Sequence, residues 1–244
     1  MAVGYNPSIV SDGLVGYLDA ANQRSYSGSG TFWFDLSGTG NTAYLINGPS
    51  FSGAGGSCAI SCDGTNDYIE IIDNSNLDFG SNNFTVEYWF KKLALTNGFD
   101  NFWGVNKWNT GGTPGTNEWT LNIGEFSSIE CVHFLIESGN TIYTTGIHTL
   151  PNPISQFHQV VGIRNGSKLE LYLDGTQLYS NTPVGMGIST SVNNVSGLNL
   201  RVANTAPTNL YTNSSSSVIR MYRKALSQQE ILQNFNATRF RYGI

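Results

Sequence analysis

The 244-residue sequence predicts an all-β protein, a two-sheet antiparallel sandwich with one short C-terminal helix. Composition is the first reason. Charged residues make up only 12% of the chain while aromatics also reach 12%, against a usual charged share of about 25%. Gly, Ser, Thr and Asn fill the difference, so good helix formers are scarce and turn formers abundant. The second reason is a recurring period of two in the apolar residues. The third is that Gly, Asn, Ser and Pro clusters cut those alternating runs into many short pieces, the pattern of a sandwich. At this length one all-β domain over 1–244 is expected.

The clearest strand is Phe84-Thr85-Val86-Glu87-Tyr88-Trp89-Phe90-Lys91, where Phe84, Val86, Tyr88 and Phe90 share one face. Glu87 falls on the other face and reads as a satisfied polar side chain of a sheet. Lys168 to Leu173 alternates in the same way with Leu169, Leu171 and Leu173 inward, and runs into Asp174-Gly175, a two-residue type I′ hairpin signal, before 176–179 returns. Further strands are predicted at 14–20, 58–62, 67–72, 118–123, 130–137, 141–145, 157–164, 198–203 and 217–222. The segments 109–117 and 204–217, the latter ending in four serines, read as surface loops. One helix is predicted from 228 to 235: Ser227 and Glu230 form a capping box, Leu226 can staple against Ile231, and Ile231, Leu232 and Phe235 are the residues it would bury.

Several classes of function are disfavoured by the same residues. Twelve basic and 17 acidic side chains give a net charge of −5 with no dense basic face, so nucleic acid is not an expected partner. No apolar run approaches the roughly 18 residues of a membrane span, so no membrane insertion is expected. The first basic residue is Arg24; the charged start of a secretory signal is missing. The chain is therefore expected to be made in a cytosol and to leave it, if at all, by lysis. Cys58 and Cys62, four apart in an extended segment, would sit about 13 Å apart at about 3.3 Å per residue, beyond disulfide reach. With Cys131 in an apolar run they read as small core residues, and a zinc site fits no standard ligand spacing.

The order of four segments resembles the concanavalin A-like lectin/glucanase superfamily, and within it the laminin-G-like jelly roll. The segments are Cys62-Asp63-Gly64-Thr65-Asn66-Asp67-Tyr68-Ile69, Phe84 to Phe90, Phe157-His158-Gln159-Val160-Val161 leading to Leu171-Tyr172-Leu173-Asp174-Gly175, and Met221-Tyr222-Arg223-Lys224-Ala225-Leu226-Ser227. They span about 58 to 236; Phe157 departs from the usual Trp. The ends, Gly13 to Asn22 with Trp33-Phe34-Asp35-Leu36-Ser37-Gly38 and the closing Gln233 to Gly243, are similar to lectin-like structural proteins of tailed bacteriophages. The resemblance implies a virion component, a capsid decoration or fibre part, made in the host cytoplasm. Its partners would be other virion proteins, with weak adhesion to host-surface or environmental glycans. The alternative it leaves open is a glycan-processing enzyme of the same superfamily. That alternative is disfavoured because Glu-x-Asp-x-(x)-Glu is absent and the nearest acidic pairs, Glu70 with Asp73 and Glu125 with Glu130, have odd spacings that point to opposite faces of a strand. No catalytic residue is assigned.

For glycan binding the candidate region is 99–119, where Phe99, Phe102, Trp103, Trp108 and Trp119 are interleaved with Asn, Asp, Glu and Lys. Sugars present apolar C–H faces and hydroxyl edges, which suits aromatic platforms flanked by amides. Trp108, Trp119, Trp103, Asn109 and Asn117 are the expected contacts. No cofactor is required. Asp63-Gly64-Thr65-Asn66-Asp67 is a possible calcium contributor, though calcium takes six to eight oxygens and the same residues suit any tight turn. Phe240, Tyr242 and Ile244 beyond the helix form an apolar tail that needs cover, from a homo-oligomer or from the chain's own sandwich.

Overall fold

A computed structural model of the chain describes residues 8–93, 103–109, 112–126, 129–150, 156–205 and 210–244. Its strands form two antiparallel sheets. The first contains β1 (Leu14–Asp19), β4 (Ser50–Ser52), β5 (Ala59–Asp63), β7 (Phe84–Lys92), β13 (His158–Asn165), β14 (Lys168–Leu173), β15 (Thr176–Asn181) and β17 (Asn213–Tyr222). Its order is β15-β14-β13-β7-β17-β5-β4. One edge of the long β17 pairs with β5 along Asn213 to Ser216 and then with β1 from Val218 onward. The second sheet contains β2 (Phe32–Trp33), β3 (Ala43–Ile46), β6 (Tyr68–Ile71), β8 (Val105–Lys107), β9 (Trp119–Phe126), β10 (Ile129–Ser138), β11 (Thr141–Thr144), β12 (His148–Thr149) and β16 (Leu200–Val202). It runs β11-β10-β9-β8-β16-β6-β3-β2, with β12 also on β10.

The alternation decides which side chains meet between the sheets. Phe84, Val86, Tyr88 and Phe90 from β7 face Trp119, Leu121 and Ile123 from β9 and Val132, Phe134 and Ile136 from β10, all fully buried. The Phe84 ring stacks on Phe79 at 4.3 Å and meets Phe134 edge-on at 5.8 Å. Gly162 is required here, because a Cβ on it would lie 2.6 Å from the Phe134 ring. The Asp174-Gly175 turn is formed as the sequence predicts, with φ of +50° and +76° at its two central residues. All three cysteines are buried and none forms a disulfide.

The helix α1 (Gln228–Thr238) opens on the capping box, in which the Glu230 amide donates to Ser227 Oγ while Glu230 accepts from the Ser227 amide. It lies on the outer face of the first sheet. Ile231 joins Val10, Val161, Ile163, Tyr172, Tyr222 and Leu226 in a second apolar cluster there. Phe235 stacks on Trp89 at 5.7 Å, whereas Leu232, expected inside, is 39% exposed. The tail folds back on its own sandwich: Tyr242 packs on Trp89 and Phe157 at 5.0 and 4.3 Å, and Arg241 pairs with Asp19. Of the three apolar tail residues only Tyr242 gains this cover; Phe240 and Ile244 stay 55% and 38% exposed.

The surface loop expected up to residue 217 is overturned in its last four residues. The four serines 214–217 are not a surface loop but the buried first half of β17. Ser215 bonds Ser61, Ser216 bonds the Tyr88 hydroxyl, and Ser217 donates to the Cys58 carbonyl while accepting from Tyr242. A bulge at Ser217 shifts the register, so Ser216 and Ile219 both face the core although their spacing is odd.

Candidate functional site

Of the residues proposed from sequence, Trp119, Trp103 and Asn117 are buried in the fold, while Trp108 and Asn109 are half-buried. Trp119 starts β9 in phase with Leu121 and Ile123, and its ring sits fully buried 6.1 Å from Phe79 and 6.2 Å from Phe84. It offers no platform to a ligand. Trp103 is 5% exposed. Trp108 is half-buried, its carbonyl accepting from Thr205 Oγ1 at 2.8 Å. Asn109 and Asn117 latch the β8–β9 connection: the Asn109 amide donates to Asn117 Oδ1 at 2.7 Å, and the Asn117 amide donates to Glu137 Oε2 at 2.8 Å. Phe99 and Phe102 lie outside the described residues. The 63–67 segment forms a turn in which Asp63 Oδ1 accepts from the Thr65 and Asn66 amides, bonds that hold its carboxyl below the usual range.

The aromatic surface lies elsewhere, on the terminal strand of the second sheet. In Phe32-Trp33-Phe34 the period of two turns Trp33 fully inward and leaves Phe32 and Phe34 outside, 46% and 50% exposed. Tyr44 stands opposite Phe32 in the β2–β3 register and is 38% exposed. The Phe32 ring is 6.0 Å from Phe34, stacked, and 5.4 Å from Tyr44. Single exposed aromatics are ordinary; three in contact make a patch that marks a binding surface.

Tyr44 also forms one wall of an open groove of about 290 Å³, whose other walls are residues 39–42 and 71–76. Both walls are rigid because their polar groups are tied internally. Asp35 organises the first by accepting from the Tyr17, Ser37 and Asn41 amides and from the hydroxyls of Ser37 and Thr39. Asn74 joins the two walls, donating to Asn41 Oδ1 at 2.8 Å and accepting from the Asn76 amide. The hydroxyls of Thr42 and Ser75 remain without a hydrogen-bond partner among the described residues, and Ile72 stands 52% exposed beside them. Rings, a methyl surface and free hydroxyls on a fixed frame match the faces and edges of a sugar.

The nearby acids are already occupied. Asp73, which lines the groove, accepts from Lys107 Nζ and from the Gly197 amide, both at 2.7 Å. Lys107, itself fully buried, also contacts Asp78 at 2.9 Å and Glu118 at 3.0 Å. Burial would lower the pKa of this ammonium, but Glu118, Asp73 and Asp78 outweigh it and raise it. Glu118 is fully inside, and burial pushes its carboxyl up to about 7. Glu70, beside Tyr44 in the β3–β6 register, pairs with Arg201 at 3.0 Å. A groove of this kind can hold a sugar; it presents no free pair of acids to cleave one.

Sequence reasoning missed the rim because a strand of two residues shows no measurable period. The signal was nevertheless present: three consecutive aromatics on an alternating backbone must put two on the side opposite the third.

Comparison with known proteins bears on the scaffold. Residues 63–232 match a laminin-G family model described as concanavalin A-like lectin/glucanases superfamily. A search among curated proteins found no match. Among solved structures, the binding domain of Paraclostridial Mosquitocidal Protein 1 superposes with a TM-score of 0.70 at 17% identity, over 93% of this chain and 52% of that one. Domain 4 of AbnA, a GH43 extracellular arabinanase from Geobacillus stearothermophilus solved in complex with arabinotriose, gives 0.63 at 13% identity, over 92% and 98%. The binding domain of Botulinum Neurotoxin DC in complex with SialylT gives 0.68 at 10% identity, over 93% and 52%. The chain thus spans about half the length of the toxin binding domains it matches. Phe32, Phe34 and Tyr44 precede the segment matched by the family model.

Proposed function

The chain belongs to the concanavalin A-like lectin/glucanases superfamily, and from that premise we propose that it is a non-catalytic glycan-binding module whose contact surface is the Phe32, Phe34 and Tyr44 rim with its adjoining groove. The observation that carries this reading is the three-ring exposed patch continuous with a rigid, hydroxyl-lined groove. Structural neighbours solved with arabinotriose and with SialylT support it. Asp73, Asp78 and Glu118 are held by Lys107, Glu70 by Arg201, and Asp35 by backbone amides and hydroxyls, which favours binding over hydrolysis.

Such a site binds weakly. An open groove buries little of a ligand, and each sugar hydroxyl bond replaces one to water for a net of only about 0.5–1.5 kcal/mol. Adhesion then depends on many copies acting together. A virion supplies them, and we place the protein there, as a capsid decoration or fibre component of a tailed bacteriophage alongside other virion proteins. The support is the resemblance of residues 13–22, 33–38 and 233–243 to such proteins. Glycan-array binding by the multimerised protein tests the first part: wild type retains glycans and Tyr44→Ala does not. Mass spectrometry of purified virions tests the second; a protein never found in particles would refute it.

A further inference from the structure

A second concavity, of about 480 Å³, opens on the outer face of the first sheet, where the C-terminal tail meets β5, β7 and β17. Its chemistry differs from that of the rim. Lys91 projects into it from β7, its Nζ 5.3 Å from the centroid of the Phe157 ring, and no carboxylate lies within ion-pair distance of it among the described residues. Arg241 is the other cation in the lining. One of its terminal nitrogens donates to both oxygens of Asp19 at 2.9 Å, and its stem lies against Gly56, where a Cβ would come within 2.9 Å of it. Asp19 is 1% exposed, and among the described residues no acidic residue lines the opening. In a chain of net charge −5 this is a local excess of positive charge. Ser52 and Ser57 place hydroxyls on one side and the stacked Phe157 and Tyr242, 4.3 Å apart, form the other.

We propose that this pocket binds an acidic sugar, a hexuronate or a related carboxylated monosaccharide, and so forms a second glycan subsite independent of the rim. The carboxylate would sit on Lys91 and Arg241 as a charge-assisted contact. The ring hydroxyls would meet Ser52 and Ser57, and the apolar edge of the ring would lie on Phe157 and Tyr242. The volume favours this occupant over a bare oxyanion. It falls in the range of small-ligand sites, about 300–1,000 Å³, most of which a phosphate ion would leave empty. Cation–π contact with Phe157 holds the Lys91 ammonium in place before a ligand arrives.

The test is an amide-shift titration of the full chain with glucuronate, glucose and inorganic phosphate. Glucuronate should shift the amides of Ser52, Ser57, Phe157 and Tyr242, while glucose and phosphate shift them little. Lys91→Gln should weaken glucuronate by about tenfold or more, Lys91→Arg should retain it, and raised salt should screen it. Tyr44→Ala should leave it unchanged, which separates failure here from failure at the rim. Glucose binding as well as glucuronate, phosphate binding as well as glucuronate, or an unaffected Lys91→Gln variant would overturn the proposal.

Discussion

The two outer faces of this sandwich have been put to opposite uses. On the first sheet the outward side chains of β7 and β17 are covered by α1 and the tail, and Glu87 is fully buried there. Glu87 accepts from Arg220 at 2.5 Å, Asn234 at 2.8 Å, Gln159 at 2.9 Å and Trp89 at 3.0 Å. At the terminal strand of the second sheet nothing among the described residues covers Phe32, Phe34 and Tyr44, which hold each other instead. A sandwich needs only its inner layer to fold, so one outer face can be spent on anchoring the chain's ends while the other keeps apolar surface for a ligand. Stability and binding at the rim should therefore separate by face, while the proposed Lys91 and Arg241 pocket occupies the gap that the tail leaves on the covered one.

The largest expected effect is on the covered face. Glu87→Ala would leave the Arg220 guanidinium buried without its partner, a loss of about 3–5 kcal/mol, read by urea unfolding. The sequence shows Glu87 as a lone carboxylate in a strand and gives no sign that Arg220, 133 residues later, opposes it in the β7–β17 register. Next comes Trp119→Ala, which opens a cavity in the inner core and should cost about 3–5 kcal/mol. A Trp119→Ala variant as stable as wild type would break the division between core and surface aromatics.

A smaller effect concerns pH. Burial, with help from His148, pushes His133 down to about 3 from an ordinary value near 6.5, so the folded state resists its protonation. That contribution is present above about pH 6.5 and is lost as pH falls from there toward 3. Glu118 works in the opposite sense. Its carboxyl, raised to about 7 by burial, favours the protonated folded form, so its contribution to stability falls as pH rises from about 4.5 to 7. Between about 4.5 and 6.5 the two offset each other. In Glu118→Gln, melting temperature should fall more steeply on acidification than in wild type; an unchanged slope would remove Glu118 from the balance. The smallest stability effect belongs to the open face: Tyr44→Ala removes one exposed cross-strand partner and should cost under about 1 kcal/mol.

What the sequence showed depended on how local the cause was. The capping box at Ser227 and Glu230 and the Asp174-Gly175 turn are set by neighbours in the chain, and both form as read. The long alternating strands β7, β13 and β14 were legible for the same reason. The serines 214–217 were not, because the hydroxyls of Ser215, Ser216 and Ser217 find partners at Ser61, Tyr88 and Cys58, more than 120 residues away, and the bulge hides their period. The exposed rim escaped notice for the same reason. Trp119 and Phe32 are both aromatics beside polar residues, and what separates them is the side of a sheet each faces, which short strands such as β2 and β8 leave unread. Trp119 was in phase with Leu121 and Ile123, so its burial could have been inferred; the exposure of Tyr44 required knowing that β3 pairs with the terminal strand.

The most direct measurement is glycan retention by immobilised, multimerised protein, compared among wild type, Tyr44→Ala and Phe32→Ala with melting temperature recorded alongside. We expect wild type to bind and both variants to lose binding by about tenfold or more, with melting temperatures within the few degrees that correspond to under about 1 kcal/mol. Variants that bind as wild type does, or a wild type that retains no glycan even when multivalent, would contradict the assignment of this rim as the binding surface.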